Sequence, residues 1–143
     1  MTNPRQELGQ AGEIAAADFL EARGYRIVAR NVRADRVEID LIARHGSALI
    51  FVEVKSRRAQ QGGGGHGIAA EAVDERKQRR LRRGAHAWLA AHPVEARRAP
   101  GRRFDVVTCL LLRPAAIEAS QTKKKTTVPK MARWSIEHWQ AAF

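Results

Sequence analysis

Three residues in the middle of the chain have types and spacing that can do chemistry together: Asp40, Glu53 and Lys55. Glu53 and Lys55 stand two apart in the run Phe51-Val-Glu-Val-Lys55. Side chains alternate along a strand, so these two project from one face while Val52 and Val54 project from the other into a core. A preceding apolar run carries Asp40, and His45-Gly46-Ser47 joins the two runs as a hairpin that brings Asp40 laterally beside Glu53. Two carboxylates and an ammonium suit phosphodiester hydrolysis. Asp40 and Glu53 can hold a hard cation such as Mg2+, with Mn2+ as the alternative, which keeps waters and accepts phosphate oxygens. Lys55 can orient or help deprotonate the attacking water, or neutralise charge developing on phosphorus. Paired carboxylates repel, so a metal or a nearby cation is needed to keep both ionised. Glu-x-Lys by itself is also an ordinary charge pair of a solvated sheet face. Asp40 one hairpin upstream sets this trio apart, as does Glu13. Glu13 lies one heptad before Leu20 and so borders the buried side of a helix. Taken alone, Glu13 reads as a surface charge.

The elements that must position these groups follow from periodicity. Residues 4–23 predict a helix with Leu8, Ala11, Gly12, Ala15, Phe19 and Ala22 on one face, stopped by Gly24. Residues 25–33 predict a strand with Tyr25, Ile27 and Ala29 on one side and Arg26, Val28 and Arg30 on the other. After a turn at residues 34–36, strands are expected over 37–44 and 48–57. Residues 60–67 include Gly62-Gly63-Gly64-Gly65, a loop that either frames a substrate or is a neutral expansion. Residues 68–92 predict a second helix, with Val73, Leu81, Trp88 and Leu89 as core and arginines crowding the other face. Residues 93–101 read as a loop and 103–112 as a strand. Residues 113–132 read as a mobile basic insertion with Lys123-Lys124-Lys125, and 134–138 as a last strand. The whole of 1–143 reads as one α/β domain. Its order is helix, three-strand meander, helix, strand, with a mixed central sheet flanked by helices.

Charge narrows the partner. The 143 residues contain 26 Lys plus Arg against 15 Asp plus Glu, a formal net charge of +11. Nucleic acid is the commonest polyanion that such an excess serves. A peripheral membrane protein would pair a basic amphipathic helix with bulky apolar anchors, and the longest apolar run, 106–112, is far too short to span a bilayer, so no membrane partner is expected. Residues 1–10 are polar, without the apolar centre of a signal peptide. Cys109 is the only cysteine and sits in an apolar run, where a buried thiol is expected. A reducing cytoplasm fits these features. One cysteine and five scattered histidines offer no close zinc-ligand set.

The string Glu38-Ile-Asp-Leu-Ile-Ala43 followed by Phe51-Val-Glu-Val-Lys-Ser-Arg57 resembles the bacterial YraN-like family. Gly12-Glu13, Gly24-Tyr25, Asn31, Val73-Asp74, Lys77-Gln78, Phe104-Asp-Val-Val107 and the ending 136–143 agree, so the likeness covers nearly the whole chain. That family is grouped with the PD-(D/E)XK, or restriction-endonuclease-like, nucleases and is similar to archaeal Holliday junction resolvases. The resemblance implies a restriction-endonuclease-like core. It implies Asp40 and Glu53 as metal-binding carboxylates, Lys55 as the catalytic lysine and Glu13 as a helix-borne acid completing the metal site. It places Lys77 and Gln78 toward the site or the phosphates, and a homodimer accords with the resolvase-like relatives. Two positions depart from the pattern: Ile39 in place of proline before Asp40, and Val37 where the family usually has glycine.

Arg30, Arg33, Arg57, Arg58 and Arg80 make up the expected phosphate-contacting set, since a guanidinium fork grips phosphate oxygens, and the resemblance adds Lys77 and Gln78 to it. No base-reading motif is visible, which favours recognition of structure over sequence. Asp105, in an apolar strand, is expected to pair with a cation. His66 reads as exposed and idle, and Trp88 as core. Trp134 and Trp139 read as edge packing, with base stacking as the alternative. The expectation is a magnesium-dependent endonuclease acting on DNA, including branched or damaged DNA. A noncatalytic nucleic-acid-binding module on the same fold and an RNA-processing nuclease are the competing readings.

Overall fold

The computed structural model describes residues 3–59, 73–112 and 134–143. The glycine-rich loop with His66, the start expected for the second helix at 68–72, and the basic insertion at 113–132 lie outside them.

Helix α1 (Pro4–Glu21) starts on a capping box. The Arg5 amide donates to Asn3 Oδ1 at 3.0 Å, and the Asn3 amide to Gln6 Oε1 at 3.4 Å. Pro4 stands at the first helical position, where its missing amide costs nothing. Gly24 (φ +86°) ends the helix, and the Tyr25 amide returns to the Leu20 carbonyl at 3.1 Å. The buried stripe is Gly12, Ala15, Ala16, Ala17 and Leu20, whereas Ala11 and Ala22 face solvent. The helix is therefore rotated from the expected face. Gly12 explains the rotation, because a Cβ there would overlap the Ser56 side chain.

Strands β1 (Arg26–Ala34), β2 (Val37–His45) and β3 (Ala48–Arg58) form the antiparallel meander. Helix α2 (Glu75–Ala91) and the short α3 (Pro93–Arg98) lead to β4 (Gly101–Leu111), which runs parallel to β3, and β5 (Trp134–Trp139) pairs antiparallel with β4. The five strands make one mixed sheet in chain order. The local differences from expectation have plain causes. Asp74 is extended and caps the Lys77 amide at 2.8 Å, so α2 begins at Glu75. Pro93 at a first helical position turns part of the expected loop into α3.

Alternating β3 residues go to opposite layers. Ile50, Val52 and Val54 pack with Ala16, Ala17 and Leu20 of α1, while Leu49 and Phe51 pack with Ala85 and Trp88 of α2. In β1 a bulge between Ile27 and Ala29 breaks the expected alternation, sending Val28 and Ala29 together to the α2 side. At the hairpin tip, Asp35 (φ +47°) and Arg36 (φ +62°) form the two-residue turn whose twist matches the flanking strands. Val37 then packs against Gly84 of α2, where an added Cβ would lie 2.8 Å from the Val37 Cβ. Arg83 pairs with Asp35 at 2.9 Å beside this contact.

Asp105 ties β4 to β5. It is fully buried and takes both guanidinium arms of Arg103 at 2.8 Å, His138 Nε2 at 2.7 Å and the Ala141 amide at 3.0 Å. Burial would raise its pKa, but these partners outweigh burial and hold it below the ordinary value. The expected cation partner is therefore present. Trp134 packs on the α1 side and Trp139 on the α2 side, as edge packing requires. Cys109 is buried, with burial pushing its thiol up to about 12.

Candidate active site

The site grows out of an interruption in the sheet. Pairing of β2 with β3 runs from His45↔Ala48 to Leu41↔Val52 and goes no further. Asp40 and Glu53 are the next residues on each strand. Instead of a backbone partner there, the Val54 amide donates to Asp40 Oδ2 at 2.8 Å. The pleat of β2 also breaks at this point. Leu41 and Ala43 pack on the α1 side, yet Ile39, of the same parity, packs on the α2 side with Ile42. Across from Asp40, the β1–β2 register skips Asn31, whose φ of +49° is a left-handed value that asparagine tolerates better than most residues. The hairpin thus peels away from β3, and groups from both layers reach the gap.

Glu53 lies at that gap and is only 6% exposed. Lys77 Nζ, from the first turns of α2, sits 2.5 Å from Glu53 Oε1, and Lys55 Nζ sits 3.5 Å from the same oxygen. Glu13 reaches in from α1 on the other side, where Asn31 and Asp40 both favour its charged form. Burial first, then the charge of Glu53, pushes the Asp40 pKa up to about 7 against the opposing Val54 amide. Burial likewise raises Glu13, with Glu38 and Glu53 adding to it. Burial and then the neighbouring Lys77 lower the Lys55 pKa. Burial works against the charge on Lys77 too, but its bond to Glu53 overcomes this and raises its pKa.

A cleft of about 280 Å³ opens beside Asp40 and Glu53, with Arg33 and Arg36 on the hairpin and Lys77 and Arg80 on α2. Of the residues singled out in the sequence, Asp40, Glu53, Lys77, Arg33 and Arg80 line the cleft, Lys55 borders it through Glu53 and Glu13 through Asp40. Others do not. Arg30 is exposed and pairs with Glu21 at 3.2 Å. Arg57 and Arg58 lie on the exposed end of β3. The Gln78 amide is turned back to the Val73 carbonyl at 3.1 Å, bracing the entry to α2 rather than lining the cleft. Sequence reading missed Arg36, hidden in a turn, and Asn31, for which only the left-handed backbone reveals a task.

The carboxylates fit a hard divalent cation in donor type, and burial together with the Glu53 charge raises the Asp40 pKa, so positive charge is short among them. They are not drawn together around a common centre: among the described residues no group of three or more His, Cys, Asp or Glu side chains is close enough to hold a metal ion. The cation nearest Glu53 is Lys77.

A mixed five-stranded sheet between helices, with Asp, Glu and Lys at the fork of its hairpin, is a restriction-endonuclease-like arrangement. The chain belongs to UPF0102, the YraN-like family within the restriction-endonuclease-like superfamily: the family model described as "Uncharacterised protein family UPF0102" matches residues 12–109. A UPF0102 protein of Symbiobacterium thermophilum is 53% identical over 102 residues, 71% of this chain and 80% of the relative. One of Mycolicibacterium vanbaalenii is 41% identical over 122 residues, 85% of this chain and 95% of the relative. One of Chlorobaculum tepidum is 41% identical over 141 residues, 99% of this chain and 95% of the relative. No helix among the described residues is long and apolar enough to cross a membrane.

Proposed function

We propose that this protein is a divalent-metal-dependent endonuclease that hydrolyses phosphodiester bonds in DNA. The observation that carries this reading is the meeting of Asp40, Glu53 and Lys55 at an interrupted ladder, beside a cleft lined by Arg33, Arg36 and Arg80. Asp40 and Glu53, with Glu13 alongside, would hold Mg2+ or Mn2+, which when bound supplies Lewis-acid polarisation and a lower pKa for water. Arg33, Arg36 and Arg80 bind the flanking phosphates and set the strand's path past the acids. Lys55, with its proton loosened by burial and by Lys77, orients the attacking water and takes or returns a proton at Nζ. Asn31 favours the charged form of Glu13. The net charge of +11 draws the polyanion in from a distance.

A noncatalytic nucleic-acid binder on the same fold is the competing reading, favoured by the Lys77–Glu53 ion pair and by the uncollected acids. Branched, single-stranded and duplex DNA, together with RNA, incubated with Mg2+ or Mn2+ and the purified protein, decide between the two. Cleavage of DNA that Asp40→Ala and Lys55→Ala both lose supports the nuclease. Binding without cleavage on every substrate overturns it, and cleavage confined to RNA moves the activity to the other nucleic acid.

A further inference from the structure

Lys77 stands apart from the other cations of the cleft. Arg33, Arg36 and Arg80 line it without an ion pair among the described contacts, whereas the Lys77 ammonium is spent on an internal acid. That acid, Glu53, is 6% exposed, and a carboxylate so deprived of water is costly unless a cation neutralises it. Lys55 is the alternative neutraliser, but at 3.5 Å it is the more distant of the two and the more exposed, at 38% against 31%. The Lys77 side chain also leaves from the first turns of α2, on the cleft wall, and its backbone amide is fixed by Asp74. Its four-carbon stem can swing while its anchor stays put.

We propose that the Lys77 ammonium is the resident counter-ion of Glu53, which gives up that carboxylate when a divalent cation arrives and turns into the cleft to hold a substrate phosphate. The inference rests on the proposed metal-dependent reaction and adds its order of events. The two cations compete for one carboxylate, so metal loading frees Lys77 and a phosphate in the cleft in turn stabilises the freed ammonium. Metal and nucleic acid then bind with positive coupling, each strengthening the other. In the metal-free protein the same lysine keeps Glu53 neutralised and the fork folded.

Calorimetric titration with Mn2+ in the absence of nucleic acid tests the exchange without reference to cleavage. Lys77→Met is expected to bind Mn2+ tighter than the parent, on the order of tenfold, because a charged competitor close to the ligand oxygen has gone. Unchanged or weaker binding by Lys77→Met overturns the exchange while leaving the proposed metal site standing. Failure of parent and variant alike to bind Mn2+ overturns both. The parent protein carries a second test that needs no variant to fold: brief acetylation by acetic anhydride, read by peptide mass spectrometry. Lys77 is expected to react several-fold faster at saturating Mn2+ than in its absence, and an unchanged rate overturns the exchange.

Discussion

The Asp40 carboxylate accepts the Val54 amide proton at 2.8 Å, at the point where β2 and β3 cease to pair. One bond thereby both finishes the ladder and aims an acid at Glu53. Burial and the Glu53 charge oppose ionisation of Asp40, which gives it a measurable signature.

Because the folded-state pKa of Asp40, about 7, lies above its ordinary value of 3.8, its contribution to stability is complete below pH 4. That contribution shrinks as pH rises and is lost through pH 7. In metal-free buffer the parent is therefore expected to lose stability between pH 4 and 7 on this account and to level off above it. Asp40→Asn removes the dependence and should exceed the parent at pH 8 by roughly 2 kcal/mol, while losing cleavage. Denaturant melts across that range check the sign, and a variant less stable than the parent at pH 8 contradicts it.

Asn31 has two tasks, a left-handed backbone and a side chain that favours the charged form of Glu13. Asn31→Gly keeps the first and drops the second, so it should fold with near-parent stability and cleave about tenfold more slowly, a share of what positioning contributes. Asn31→Val disturbs both and should also cost roughly 1–2 kcal/mol. Paired melting and cleavage measurements separate the two effects.

Val37 and Gly84 can be exchanged only together. Gly84→Ala places a methyl against the Val37 side chain and is expected to cost about 1–3 kcal/mol. Adding Val37→Gly removes the clash, so the double variant should recover at least about 1 kcal/mol relative to the sum of the singles. A strictly additive double-mutant cycle would show that the contact carries no coupling.

Asp105 defines the acid limit of the fold. Its folded pKa is lowered, so its stabilisation is present above pH 4 and is lost as pH falls below it. Asp105→Asn leaves the Arg103 charge with a neutral partner and should cost on the order of 3 kcal/mol at pH 7, with a much smaller loss at pH 3. Equal losses at both pH values would place the effect elsewhere.

Arg33 and Arg36 are expected to act on nucleic acid through charge alone. Alanine at either should weaken binding several-fold and lower the slope of log K against log salt by about one. Fluorescence anisotropy at several salt concentrations reads both quantities. A loss of affinity with no change of slope would point to altered folding rather than a missing phosphate contact.

What the sequence disclosed was local or one hairpin away. Alternation put Glu53 and Lys55 on one face, and the Gly46 turn brought Asp40 beside them. Glu13 was reachable because a helical heptad tied it to Leu20, which is fully buried. The bulge at Val28 and the change of face at Asp40 escaped because each inserts an irregularity into a pattern whose only signal is regularity. The resemblance placed Lys77 toward the site or the phosphates, and its bond to Glu53, which depends on how α2 docks, puts it at the site. That docking turns on Gly84 meeting Val37, a fit of shapes that a hydrophobic pattern does not encode.

The hairpin tip is fastened to α2 twice, by Val37 seated on Gly84 and by Asp35 paired with Arg83. The two walls of the cleft therefore touch directly, and they are expected to behave as a slot of fixed gauge rather than a jaw. Adaptation to a guest falls to side chains such as Lys77, on the nanosecond scale of rotamer exchange, and not to a slower swing of the hairpin. Amide protons at the tip of β1–β2 and in the middle turns of α2 should accordingly exchange with solvent in a single cooperative opening.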